Sequence, residues 1–164
     1  MEWILLYNAA SPYLYLLAVA LLMDTCGEDV YLGCLIIFAV QLLATLVLSI
    51  ISKDKAKLAK VNMIVKFAQI PYYIIFFIIA VLGVMSLLGL MGVGLLFIPV
   101  FIVIDFGVFL TTIIPAEVCS IRLIKKDMIS VPKFLLYLFG NFVYVLDIVF
   151  AVLIHRDFKK NING

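Results

Sequence analysis

Asp105 and Asp147 are the residues whose chemistry is hardest to place. Asp105 sits near the middle of an apolar run from Phe97 to Ala116, and Asp147 lies within another from Phe134 to Ile154. A charge in so apolar a segment is costly in lipid, so each carboxyl must be protonated, paired or turned toward a polar interior. Two carboxyls sharing a low-dielectric interior cannot both ionise cheaply, and such a pair holds one proton or one cation. That is what a proton- or cation-coupled carrier requires. It is also how an aspartyl hydrolase activates water. A third use is structural: a protonated Asp can donate to Asn or Tyr, an interhelical bond of about 0.6 kcal/mol on average.

The residues that could line such an interior fall at helical spacings. Asn8, Ser11, Pro12 and Tyr15 form one stripe, and Cys34, Gln41, Thr45 and Ser49 another. Thr112 lies two turns beyond Asp105, while Tyr137, Gly140, Asn141, Tyr144, Asp147 and Ala151 share one side of the last apolar segment. Asp105 and Asp147 are therefore the expected ion- or proton-binding residues, with Asn8, Gln41, Thr112, Tyr137, Asn141 and Tyr144 as the expected polar lining. Lys66 reads as the basic end of its segment, and Glu117 as an interfacial acid neutralised by Arg122, Lys125 and Lys126. On that reading no cation stands at a helix centre to pair with either aspartate.

Other chemistries find little support. The single His155 precludes a multi-histidine metal site, and Cys26, Cys34 and Cys119 have neither CxxC spacing nor an even count. Asp105 stands in Val-Ile-Asp-Phe-Gly, not in the GxGD element typical of intramembrane aspartyl proteases. No nucleotide, metal or other cofactor motif is present, and an enzyme is the less favoured reading.

What must position these residues is a set of long apolar helices. The chain is 67% hydrophobic and 13% charged, against about half and about a quarter for a globular domain. The excess falls in blocks that match the roughly 20 residues a helix needs to cross a bilayer. Five segments are expected, at about 3–23, 30–52, 63–88, 95–121 and 134–155. The first has no preceding Lys or Arg and no clear cleavage site, so it is not expected to be a removed signal peptide. An acidic turn at Asp24–Asp29 follows it, and a glycine turn at Gly89–Gly94 joins the third and fourth segments. The longest hydrophilic interval is about ten residues, which leaves no room for a self-contained ATPase or a nucleic-acid module.

Of twelve Lys and Arg residues, five surround the second connection, four the fourth and three the tail. The positive-inside rule puts those two connections in the cytoplasm. Five crossings then place the N-terminus inside and the C-terminus outside, against the basic charge of the tail. Only a change in segments three to five would bring the tail inside.

The fold class is thus an all-α, polytopic membrane bundle in a single transmembrane domain, expected in the cell membrane. Two functions stay open. One is a small transport-type protein that binds a proton or cation at intramembrane carboxylates and is expected to form a homodimer. The other is an accessory or scaffolding subunit of a larger membrane complex, whose polar residues serve only helix packing. An intramembrane hydrolase is a weaker third.

Overall fold

The computed structural model describes residues 2–26, 29–88, 98–143 and 146–163. A 3-10 turn, Glu2–Leu6, leads into α1 (Tyr7–Cys26). There follow α2 (Asp29–Ile51), α3 (Lys55–Leu88), α4 (Ile98–Lys125), α5 (Val131–Gly140) and α6 (Leu146–Asn163), with no strand among the described residues. Three stretches are long and apolar enough to cross a membrane, Leu32–Ile51, Lys55–Met85 and Ile104–Lys125. This is compatible with a membrane protein. The glycine turn, part of the acidic turn (Gly27 and Glu28) and Tyr144 lie outside the described residues.

Two segments differ from their expected form. The third helix begins at Lys55, two turns earlier than the apolar pattern suggests. Asp54 caps it, its Oδ1 accepting from the Lys57 amide at 2.9 Å. The first turns bury Leu58, Ala59, Val61 and Asn62 while Lys60 stays exposed, so the basic run is the start of an amphipathic helix and not a loop. Lys55 closes the preceding helix, its ammonium donating to the carbonyls of Ser49 (2.5 Å) and Ile50 (3.0 Å).

The second difference concerns 134–155, which is not one helix. The chain leaves the α-helix after Gly140 in tightened turns, Phe142 N donating to Phe139 O and Val143 N to Gly140 O, and resumes at Leu146. The two pieces fold back on each other. Lys133 at the start of α5 pairs with Asp157 near the end of α6 at 2.7 Å, and Tyr137 donates to the same carboxylate at 2.6 Å. At the closed end the Phe150 ring lies against Gly140, where a Cβ would fall 1.9 Å from it. Only glycine admits that approach. Ten helical residues reach about 15 Å, half of a bilayer's hydrocarbon core.

This hairpin decides where the end of the chain lies. Lys53 and Lys55 of the second connection, Arg122 and Lys126 of the fourth, and Phe158 of α6 wall one cleft of about 360 Å³. Ser52 donates to Glu2 at 3.0 Å, and the Lys57 ammonium sits 5.5 Å from the Trp3 ring centroid. The beginning of α1 and the end of α6 are therefore both at the basic end of the bundle. The fifth expected segment thus returns to the end of the bundle from which it starts, and the basic residues of the tail lie with those of the two connections.

Candidate functional site

Helices α1 to α4 meet on a neutral polar network whose acceptors are supplied partly by proline. Proline lacks the amide that would bond the carbonyl four residues earlier. Pro12 thus frees the Asn8 carbonyl, and the Gln69 amide donates to it at 2.8 Å. Pro115 frees the Thr111 carbonyl, and the Asn8 amide points at it at 3.5 Å. Gln41 donates to Asn8 Oδ1 at 2.7 Å and to Ser11 at 2.6 Å, and accepts from Tyr15 at 2.5 Å. Thr45 completes the set, accepting from Asn8 Nδ2 at 3.1 Å. Next to the bond that Pro71 removes, the Tyr13 hydroxyl is inserted into the helical ladder of α3, donating to Ala68 O at 2.8 Å and accepting from Tyr72 N–H at 3.1 Å. Gly107 lets α2 come close to α4, since a Cβ there would lie 2.8 Å from the Phe38 ring.

Beside this network lies a charged centre. Lys66 is 2% exposed, and its ammonium stands 3.0 Å from Asp147 Oδ2 and donates to the Asp147 carbonyl at 3.2 Å. This corrects the expectation that no cation stands at a helix centre to pair with either aspartate: Lys66 pairs with Asp147. Lys66 lies eleven residues into α3, roughly 16 Å from its start, and its stripe Asn62–Lys66–Gln69 faces the bundle. Asp147 is available to it because the α-helix ends at Gly140 and α6 starts afresh at Leu146, which brings the first turn of α6 to this level. Glu117 of α4 joins the centre. Asn141, at the end of α5, donates to Glu117 Oε1 at 2.8 Å, and the Lys66 charge acts on the Glu117 carboxyl. Glu117 is therefore not an interfacial acid held by the basic cluster but part of the interior.

The remaining expected residues are distributed as follows. Asn8 and Gln41 belong to the neutral network. Thr112 is buried and donates to the Phe109 carbonyl within its own helix at 3.0 Å. Tyr137 serves the hairpin through Asp157. Asp105 is half-buried and lies near Tyr72. Tyr72 and Lys66 are six residues apart on α3, about 9 Å along its axis, so the two aspartates have different α3 neighbours. His155 lies near the Ala56 backbone at the basic end, where burial and the nearby Lys60 and Lys159 hold its imidazole below the ordinary value.

A family model of a family of unknown function (DUF6652) matches residues 4–160. The chain belongs to that family. Its match takes in all of the residues just described, from Asn8 of the neutral network to Asp157 of the hairpin. No curated protein and no solved structure matches the chain.

Sequence reasoning missed Lys66 and Glu117, and both had a signal. Asn62, Lys66, Gln69 and Tyr73 recur at i, i+4, i+7 and i+11, a polar stripe like those of the first two helices. Glu117 lies five residues before Arg122, more than one turn deeper into the apolar part of α4 than the basic cluster.

Proposed function

We propose that the chain is a small multi-spanning membrane protein of transport type, with α1 to α4 crossing the bilayer and α5–α6 entering it as a re-entrant hairpin. The basic end then faces the cytoplasm under the positive-inside rule, with both the start of α1 and the end of α6 on that side. Lys66, Asp147, Glu117 and Asn141 form the centre that binds a proton or cation near mid-depth. Asp105 would lie on the route from this centre toward the opposite surface. A homodimer is the assembly expected of so small a carrier.

One observation carries this reading: a buried ion pair sits where a helix breaks inside the apolar part of the bundle. Non-helical backbone at membrane depth is tolerated where it is buried in protein or lines a cavity, and broken helices mark ion and substrate sites in transporters. A packing role alone accounts poorly for the pair. The neutral network already links α1 to α4, and a buried ion pair is often no more stabilising than apolar side chains of similar volume. Against the scaffolding alternative, the charged centre is the feature that packing does not require.

The test is flux. Purified protein in liposomes should dissipate an imposed proton or sodium gradient faster than empty vesicles, and the ion-pair-free variant K66M/D147L should not. If the wild-type protein, correctly inserted, moves neither ion, the transport reading is wrong and the scaffolding alternative takes its place. Cysteines introduced at Lys53 and Lys160 test the re-entrant hairpin: both should label from the same side of the membrane.

A further inference from the structure

The hydrogen bonds at the junction of α4 and α5 leave a specific remainder. Asn141 spends Nδ2 on Glu117 Oε1, at 2.8 Å. Its own Oδ1 and the second carboxyl oxygen, Glu117 Oε2, are both buried and have no donor among the described residues. Asn141 is 0% exposed. Buried acceptors are normally satisfied, and each that is not calls for an explanation. Here both oxygens belong to two planar groups already joined by one bond. One hydrogen serves both: an O–H on Oε2 directed at Oδ1 adds the second bond of a cyclic acid–amide pair.

We infer that Glu117 holds a proton, shared with Asn141, and that this carboxyl is the proton-binding group of the centre. The inference rests on the transport reading only for its functional meaning; the protonation itself stands on the one bond that joins the two groups and the two buried acceptors left over. Charge points the same way. Lys66 of α3 faces the group and is already matched by Asp147 of α6, while α5 contributes only the neutral Asn141. With the proton the buried cluster is neutral; without it the cluster carries an uncompensated negative charge. A metal ion suits the remainder less well. Two oxygens suffice for a proton, whereas hard cations such as calcium take six or more. No group of three or more His, Cys, Asp or Glu among the described residues could hold one. Release of the proton would leave Oε2 charged and facing Asn141 Oδ1, so it would push the turn that starts at Asn141 away from α4. Occupancy of Glu117 is thereby tied to the position of the break.

The experiment is infrared spectroscopy on the full chain in detergent and in liposomes, with E117Q and N141L. Gln at 117 can keep both bonds, its carbonyl accepting from Nδ2 and its amide donating to Oδ1, so E117Q should fold with the wild-type Tm. The wild-type protein should show a deuterium-sensitive carboxylic C=O stretch at neutral pH that is absent from E117Q and shifted in N141L. E117Q should lose proton flux at least tenfold. A C=O band that persists in E117Q, or a Tm raised by sodium and insensitive to pH, would overturn the inference in favour of another carboxyl or a metal ion. The two proposals fail separately. Wild-type flux that survives in E117Q sinks the inference and leaves transport standing; a band lost in E117Q without any wild-type flux does the reverse.

Discussion

Breaking the Lys66–Asp147 pair from one side should be far more damaging than removing it whole. The two side chains are 1% and 7% exposed and 3.0 Å apart. At that distance the gross attraction is about 5–6 kcal/mol for an effective dielectric constant of about 20, most of it offset by desolvation of the two ions. D147L leaves an ammonium buried without its carboxylate and should cost about 3–5 kcal/mol. K66M leaves a carboxyl, which can take up a proton, so its penalty should shrink as the pH is lowered. The double variant K66M/D147L leaves no buried charge and should lie within about 1 kcal/mol of the wild-type protein. The implied coupling is at least about 2 kcal/mol, well above the scatter expected for independent sites. The assay is reversible unfolding in mixed micelles at two pH values, with ligand-free protein. Additive single-variant penalties, or a double variant as unstable as D147L, would refute the geometry, because they would mean that the two charges do not face each other.

Gly140→Ala should destabilise by about 1–3 kcal/mol through overpacking against Phe150, and F150A should relieve part of that loss, measured by thermal denaturation. Gln69→Leu should cost about 1–3 kcal/mol by leaving the Asn8 carbonyl without a donor; adding P12A, which restores the helical amide, should recover much of it. Asp127 has φ 53°, so Asp127→Gly should stabilise by about 0.5 kcal/mol, the relief of backbone strain being partly offset by the freer unfolded chain. His155, held below its ordinary value, favours the neutral ring in the folded state. Its contribution should be fully present above the unfolded value near pH 6.5 and be lost as pH falls toward the folded value, so that H155Q flattens the acid limb of the melting-temperature profile.

The helical class, the apolar spans and the stripes that carry Asn8, Gln41 and Thr45 were legible because each depends on periodicity within one segment. Residues whose role is set by a partner far along the chain were not. Lys66 sits among Lys53, Lys55, Lys57 and Lys60, and by composition it is one more charge in a basic connection; only α6, eighty-one residues away, makes it an interior residue. The break in the last segment carries no proline and no glycine pair. Gly140 reads as a small residue on a polar face until Phe150 is seen against it. Yet the break left a trace in the sequence. Lys133 before the segment and Arg156, Lys159 and Lys160 after it have the same sign, which a segment that crosses the membrane once should avoid.

That separation also bears on how the protein is made. Ribosomes extend a chain at about 5–20 residues per second, so Lys66 is made roughly 4–16 s before Asp147 has been synthesised. On the proposed topology, α3 would for that interval either hold its lysine near the membrane surface at its basic end or rest against the insertion machinery. Completion of the hairpin would draw the helix to its final depth. On this view the hairpin is also a latch. A chain truncated before α6 would leave α3 misplaced and exposed to quality-control proteases, although every long helix had already been made.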